Sequence, residues 1–198
     1  MIDRLTFLMG ALAAASAKPS PTPTPFPWDT CDKSRVLPYD RPLDMRIPVL
    51  DGPDFNLMDY RGRCVLLNVF ATWCGPCNKE QPDLVKAAIA YAPKGLAVIG
   101  INDREEDNTV RAYRKKYGIS YPIAMDRRGG FTANLQDDAS QTSVEYPVSI
   151  FITPRGFLYC YLAGGMSGDE MTYRFDKFLA EAPPTWTPVP SPSPSPSA

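Results

Sequence analysis

A short apolar run rich in strand formers, Val65-Leu66-Leu67-Asn68-Val69-Phe70, is followed within a few residues by Pro76 at a position where a helix begins. A strand that feeds directly into a helix is the strongest constraint on this chain. A run so uniformly apolar belongs in the middle of a sheet covered on both faces. Leu84, Val85, Ala88 and Tyr91 then recur at helical spacing, and Leu96-Ala97-Val98-Ile99-Gly100-Ile101 reads as a second buried strand. Asn108 is placed to cap a helix running to about Tyr117 and closed by Gly118. Ile123-Ala124-Met125 reads as a short strand and Phe131 to Gln136 as a short helix. Val148 to Thr153 and Phe157 to Leu162 flank Pro154-Arg155-Gly156, which is a hairpin signal, and a last helix is expected from about Gly168 to Ala180. The order β-α-β-α-β-β-α implies an α/β chain with a central mixed sheet and helices on both faces.

The ends have a different composition. Arg4 precedes an uncharged, mostly apolar stretch from Leu5 to Ala15, and Ala15-Ser16-Ala17 fits a small-x-small cleavage site. Residues 1–17 therefore read as an export signal, too short for the roughly 20 apolar residues that span a bilayer. An Ala-rich start of a cytosolic protein is the alternative. Pro19 to Pro27 and Pro183 to Ala198 alternate Pro with Ser, Thr and other residues, and together hold more than half of the 22 prolines. Such sequence favours extended polyproline II and reads as spacer. The expected organisation is a signal over 1–17, a Pro-rich linker over 18–30, one domain over 31–182 and a Pro/Ser-rich tail over 183–198.

Composition then limits the chemistry. A net charge of −1 gives no reason to expect nucleic acid or an anionic membrane surface as partner. The chain has no histidine, which excludes Ser-His-Asp and Cys-His hydrolases and any His-containing metal site. The reactive groups must be Cys, carboxylates or backbone. Five cysteines are too few for a disulfide scaffold in 198 residues, and an odd number leaves at least one without an intramolecular partner.

Two of them, Cys74 and Cys77, sit at the strand-to-helix junction in Trp73-Cys74-Gly75-Pro76-Cys77. Disulfide exchange needs a thiolate. At the first turn of a helix Cys74 meets free backbone N–H groups and the positive end of the helix dipole, both of which favour the thiolate. Two intervening residues put Cys77 on the same turn, further inside, where it can resolve a mixed disulfide. Pro76 stiffens the turn and Gly75 leaves room for a partner chain. A zinc half-site would need two more ligands, and there is no second CxxC. An inert structural bridge is the remaining alternative.

The segment from Leu67 to Pro82, with Trp73-Cys74-Gly75-Pro76-Cys77 and a helix proline at Pro82, resembles the active-site block of the TlpA/ResA-like thioredoxin family of exported thiol–disulfide oxidoreductases. The likeness covers about residues 43–180, including the lead-in Ile47-Pro48 and Phe55-Asn56-Leu57, Arg61-Gly62, and Tyr146-Pro147 before a strand. It implies a thioredoxin fold with an N-terminal β extension. It makes Pro147 the cis-proline opposite the cysteines, with Tyr146 and Pro147 holding substrate as an added strand. It makes Glu80, three residues after Cys77 and on the same helix face, a catalytic proton acceptor for Cys77. Cytosolic thioredoxins carry a buried Asp where this chain has Asn68, and an amide cannot take a proton. Trp73 is expected to shield the disulfide and offer apolar contact to a partner. The basic run Arg111, Arg114, Lys115 and Lys116 reads as a solvated helix face.

In such a fold Cys64 lies on the strand ending at Phe70, and Cys160 on a strand two places away. That is about 10 Å, beyond disulfide reach. Cys31 lies in the irregular N-terminal segment, which can cross the sheet edge near Cys160. In an oxidising compartment a structural disulfide between Cys31 and Cys160, with Cys64 free, is therefore the expectation; three unpaired thiols are the alternative if the chain is not exported. The function expected is reduction of protein disulfides, such as those of apocytochrome c or copper-site assembly proteins, by a monomeric periplasmic protein recharged by a membrane electron donor. No cofactor and no metal is called for. A copper chaperone using the CxxC thiolates, and a disulfide oxidant or isomerase, are the competing readings. A peroxidase lacks its Pro-x-x-x-Thr/Ser-x-x-Cys pattern at Cys74.

Overall fold

The computed structural model describes residues 41–135 and 145–181. The expected signal, both Pro-rich segments and Cys31 lie outside the described residues, as does Gln136. Seven strands and three α-helices are described: β1 Arg46–Ile47, β2 Phe55–Asn56, β3 Cys64–Phe70, α1 Gly75–Tyr91, β4 Leu96–Asp103, α2 Asp107–Tyr117, β5 Ile123–Asp126, β6 Val148–Ile152, β7 Leu158–Ala163 and α3 Gly168–Glu181. Short 3-10 turns at Leu57–Tyr60 and Thr132–Leu135 join them; the second stands where the sequence implies a short helix.

Strands β5, β4, β3, β6 and β7 form one sheet in that order. The pairs β3–β4 and β4–β5 are parallel, β3–β6 and β6–β7 antiparallel, so the sheet is mixed. Strand β1 pairs antiparallel with β2 as a separate ribbon, the N-terminal β extension. The central position of β3 explains its composition: all seven residues are buried. Strand periodicity divides them between two cores. Leu66 and Phe70 point to the side where α1, α2 and α3 contribute Leu84, Tyr113, Phe175 and Phe178. Val65, Leu67 and Val69 point to the side closed by Ile47, Phe55, Leu57 and Leu135. Asn68, between Leu67 and Val69, shares the face of Leu66 and Phe70 and so looks toward α1.

Helix α3 is held by rings. Phe151 of β6 meets Phe178 edge-on at 5.3 Å, and Tyr91 of α1 meets Phe175 the same way at 5.3 Å. Full burial of each such side chain contributes about 1.5–3 kcal/mol. Two local details differ from the sequence reading. Glu106, not Asn108, occupies the N-cap of α2, and Asn108 instead accepts from Arg111 Nη1 at 2.8 Å. Arg111 is also more than a solvated charge: its guanidinium donates to Asp51 at 2.7 and 2.9 Å and so ties α2 to the turn between β1 and β2. Gly118 closes α2 in the left-handed region at φ 64°, as its lack of a Cβ allows.

Cys64 is a buried free thiol. Burial alone pushes its pKa up to about 12, which keeps it protonated and unreactive at neutral pH. Cys160 is fully buried on β7, with β6 lying between it and the Cys64 strand, and it is itself disulfide-bonded. With Cys31 outside the described residues, the Cys31–Cys160 pairing stands as a proposal that non-reducing peptide mapping tests.

Candidate active site

The parallel strands β3, β4 and β5 end at the same sheet edge, and the cysteines sit there. The chain leaves β3 at Phe70, turns through Ala71-Thr72-Trp73 and enters α1 with Cys74 as its N-cap. Cys74 and Cys77 are joined by a disulfide with Cα atoms 5.3 Å apart. The Cys77 backbone N–H donates to Cys74 Sγ at 3.1 Å, so the sulfur receives one of the helix's unpaired N-terminal donors. Both residues are buried, Cys74 at 4% exposure and Cys77 at 1%. Gly75 is exposed, and a Cβ built on it would meet nothing within 4 Å, which leaves the approach to the sulfurs open.

The turn before Cys74 is pinned by Glu105, from the segment after β4. Its carboxylate accepts from the Thr72 backbone N–H at 2.7 Å, from Thr72 Oγ1 at 2.5 Å and from Asn102 Nδ2 at 2.6 Å. Opposite the cysteines the Tyr146–Pro147 peptide bond is cis. Strand β6 follows at once, with Val148 beside Val69, so Tyr146 and Pro147 lie next to the exit of β3. The Tyr146 ring meets Trp73 edge-on at 5.9 Å, and Trp73 is 71% exposed.

Glu80 stands one turn beyond Cys77 on the buried side of α1. Its Oε1 accepts from Asn68 Nδ2 at 2.7 Å and its Oε2 from the Met166 backbone N–H at 2.7 Å. Burial raises its pKa to about 7, although the bonds from Met166 and Asn68 pull the other way. Asn68 is therefore a donor that orients Glu80 as well as an amide in place of an acid. A Cβ built on Gly165 would come within 3.5 Å of Glu80 Oε2 and of the Pro76 carbonyl, and within 3.8 Å of Pro147 Cγ. Gly165 thus lies where the carboxylate, the CxxC turn and the cis-proline come together. A cavity of about 580 Å³ opens beside them, lined by Gly75, Pro76, Lys79, Glu80, Met166 and Glu170 among others.

All the residues singled out from the sequence, Trp73, Cys74, Gly75, Pro76, Cys77, Glu80, Tyr146 and Pro147, thus meet at one edge. Cys160, on β7, is not part of it, and Cys31 lies outside the described residues. Glu105, Asp103 and Met166 were not foreseen. For the first two a signal existed: both closely follow or end the strand beside the cysteine strand, and sites in parallel sheets gather at carboxyl ends. Among the described residues no three of His, Cys, Asp and Glu are grouped so as to hold a metal ion, and no helix is long and apolar enough to cross a membrane.

A mixed sheet with a CxxC disulfide capping a helix and a cis-proline facing it defines a thioredoxin-like thiol–disulfide oxidoreductase. The chain belongs to the AhpC/TSA family, whose model matches residues 40–160. It is 32% identical over 136 residues to the thioredoxin-like protein YneN of Bacillus subtilis, covering 67% of this chain and 75% of that protein. It is 36% identical over 80 residues to the thiol-disulfide oxidoreductase ResA of Bacillus thuringiensis subsp. konkukian, a match that covers 40% of this chain and spans only about half that relative's length, 46%. Among solved structures, the thiol:disulfide interchange protein of Chlorobium tepidum superposes with a TM-score of 0.58 at 28% identity, covering 76% of this chain and 99% of that one.

Proposed function

We propose that the chain is an exported reductant of protein disulfides, acting through the Cys74–Cys77 dithiol and recharged by a membrane electron donor. The observation that carries this reading is the pairing of a helix-capping Cys74 with a buried carboxylate, Glu80, whose pKa lies near 7. Cys74 as thiolate attacks one sulfur of the substrate disulfide. A mixed disulfide forms, and the other substrate sulfur leaves as thiolate and takes a proton. The Cys77 thiol gives its proton to Glu80, attacks Cys74 Sγ and expels the second substrate thiolate. Two electrons pass to the substrate and the Cys74–Cys77 disulfide remains. A base titrating close to neutrality is suited to this transfer, because it is substantially deprotonated yet accepts a proton readily. No histidine is available to share the task.

The substrate chain lies across Tyr146 and Pro147 as an added strand, with Trp73 offering an apolar face and Gly75 and Pro76 leaving the sulfurs open. The relative named a thiol-disulfide oxidoreductase supports the reaction class. Apocytochrome c and copper-site proteins are the substrates proposed, and the signal-like residues 1–17 support export. Insulin reduction run beside a Cu(I) titration of the reduced protein tests the reading. The expected result is catalytic turbidity, abolished by alkylating Cys74, with no stoichiometric Cu(I) site. Tight one-to-one Cu(I) binding with no insulin reduction would favour a copper chaperone using the CxxC thiolates.

A further inference from the structure

Asp103 ends β4 and is 5% exposed, and its carboxylate is bonded to Arg104, Thr132 and Tyr146 rather than to Glu80 or the cysteine turn. Three side chains converge on it. Tyr146 donates its phenol O–H to Oδ2 at 2.7 Å, and Thr132 Oγ1 donates to Oδ1 at 2.6 Å. The Arg104 guanidinium straddles both oxygens, Nε at 3.0 Å from each and Nη2 at 2.8 Å from Oδ2. Neighbouring residues in an extended strand point to opposite faces, so such a pair does not form along regular β structure. Here it forms because Arg104 lies in the left-handed region at φ 54°. Its side chain then folds back beside Gly129, where a Cβ would come within 2.8 Å of Arg104 Cδ. A non-glycine residue in that conformation, with a glycine making room for it, marks a built arrangement rather than a loose surface pair. Burial opposes ionisation of Asp103, but the bonds from Arg104, Thr132 and Tyr146 outweigh it and hold the carboxyl below its ordinary range.

The consequence falls on Tyr146. Its hydroxyl is fixed by Asp103 and its ring meets the edge of Trp73. We propose that Asp103, held by Arg104 and Thr132, is a positioning residue that sets Tyr146 against Trp73 and so determines affinity for protein disulfides. This rests on the reductase reading. A chain docked along Tyr146 and Pro147 meets that aromatic pair, whereas a small disulfide needs only the open approach over Gly75.

The test compares insulin with hydroxyethyl disulfide, in the full chain, for wild type, Asp103→Asn, Tyr146→Phe and the double variant. Asp103→Asn is expected to raise KM for insulin about fivefold, because an amide oxygen accepts from Tyr146 more weakly than a carboxylate does, with kcat and the hydroxyethyl disulfide rate kept. Tyr146→Phe keeps the ring, tests the same contact should Asp103→Asn fail to fold, and is expected to raise KM for insulin similarly. The double variant should be no worse than either single change, because both remove one contact. Unchanged KM for insulin in both single variants, additive effects, or a parallel fall for both disulfides would overturn the proposal and leave the reductase reading standing. A wild-type chain that reduces neither disulfide would overturn the reductase reading, and the proposal with it.

Discussion

Replacement of Cys77 by serine is expected to arrest the reaction half-way and leave the protein covalently joined to its substrate. Cys74 keeps its place at the N-cap of α1, where the backbone N–H of residue 77 points at its sulfur, so attack on a disulfide persists. A hydroxyl at position 77 cannot displace the mixed disulfide, so the adduct accumulates. Cys74→Ser removes the attacking sulfur and is expected to give neither adduct nor turnover. Cys64 does not substitute for either, since its buried thiol stays protonated up to about pH 12. Non-reducing electrophoresis after mixing with oxidised insulin checks this: adducts with Cys77→Ser that dissolve on adding dithiothreitol, and none with Cys74→Ser. Adducts formed by Cys74→Ser alone would reverse the assignment of the two sulfurs.

Replacement of Glu80 by glutamine is expected to act on rate and on stability in opposite directions. The carboxyl titrates near 7 in the folded chain against an ordinary value of 4.5, with burial the main cause. The folded state therefore binds this proton more tightly than the unfolded state. The stability that follows is fully present below about pH 4.5 and is lost as the pH rises through 7. A shift of this size corresponds to about 3 kcal/mol across that window. Glutamine stays neutral throughout, and Asn68, by turning its amide, can accept from the new Nε2 while Met166 N–H still donates to Oε1. The variant is thus expected to gain about 2 kcal/mol over wild type at pH 8 and little or nothing at pH 4.5, measured by urea unfolding at the two pH values. Its reduction rate should fall several-fold and lose the dependence on pH around 7 that the carboxylate supplies. Equal stability differences at both pH values, or an unchanged pH–rate profile, would make Glu80 a structural residue only.

The chemistry of the cysteine turn was legible because every signal for it is local. A buried strand, a proline at the helix start and two cysteines three apart lie within 13 residues, Val65 to Cys77. The hairpin around Pro154-Arg155-Gly156 was readable for the same reason: Gly156 N–H returns to Thr153 O, and Thr153 N–H reaches Phe157 O, within five residues. The polar contacts that tune the site join distant segments. Asn68 reaches Glu80 across 12 positions, Thr72 reaches Glu105 across 33, Tyr146 reaches Asp103 across 43 and Met166 reaches Glu80 across 86. The last three depend on the sheet order that brings β3, β4, β6 and β7 together, which no local pattern encodes. Asn68 illustrates the difference. As a residue it is an amide that cannot take a proton; in place, it is a donor that orients the carboxylate which can. Misplacing the cap of α2 had a similar origin, because Asn108 is a good capping residue by type but its side chain is taken by Arg111.

The reduction potential of the Cys74–Cys77 pair tests the central claim most directly, because fold and a CxxC motif do not by themselves fix the direction of electron flow. Equilibration with a series of dithiothreitol or glutathione ratios, followed by alkylation and mass analysis of the 74–77 peptide, gives it without knowledge of the partner. A Gly-Pro dipeptide between the cysteines goes with reducing potentials, and the expected value is more negative than about −220 mV. A value near about −120 mV, in the range of strong disulfide oxidants, would contradict the reductant reading and make the chain a donor of disulfides instead.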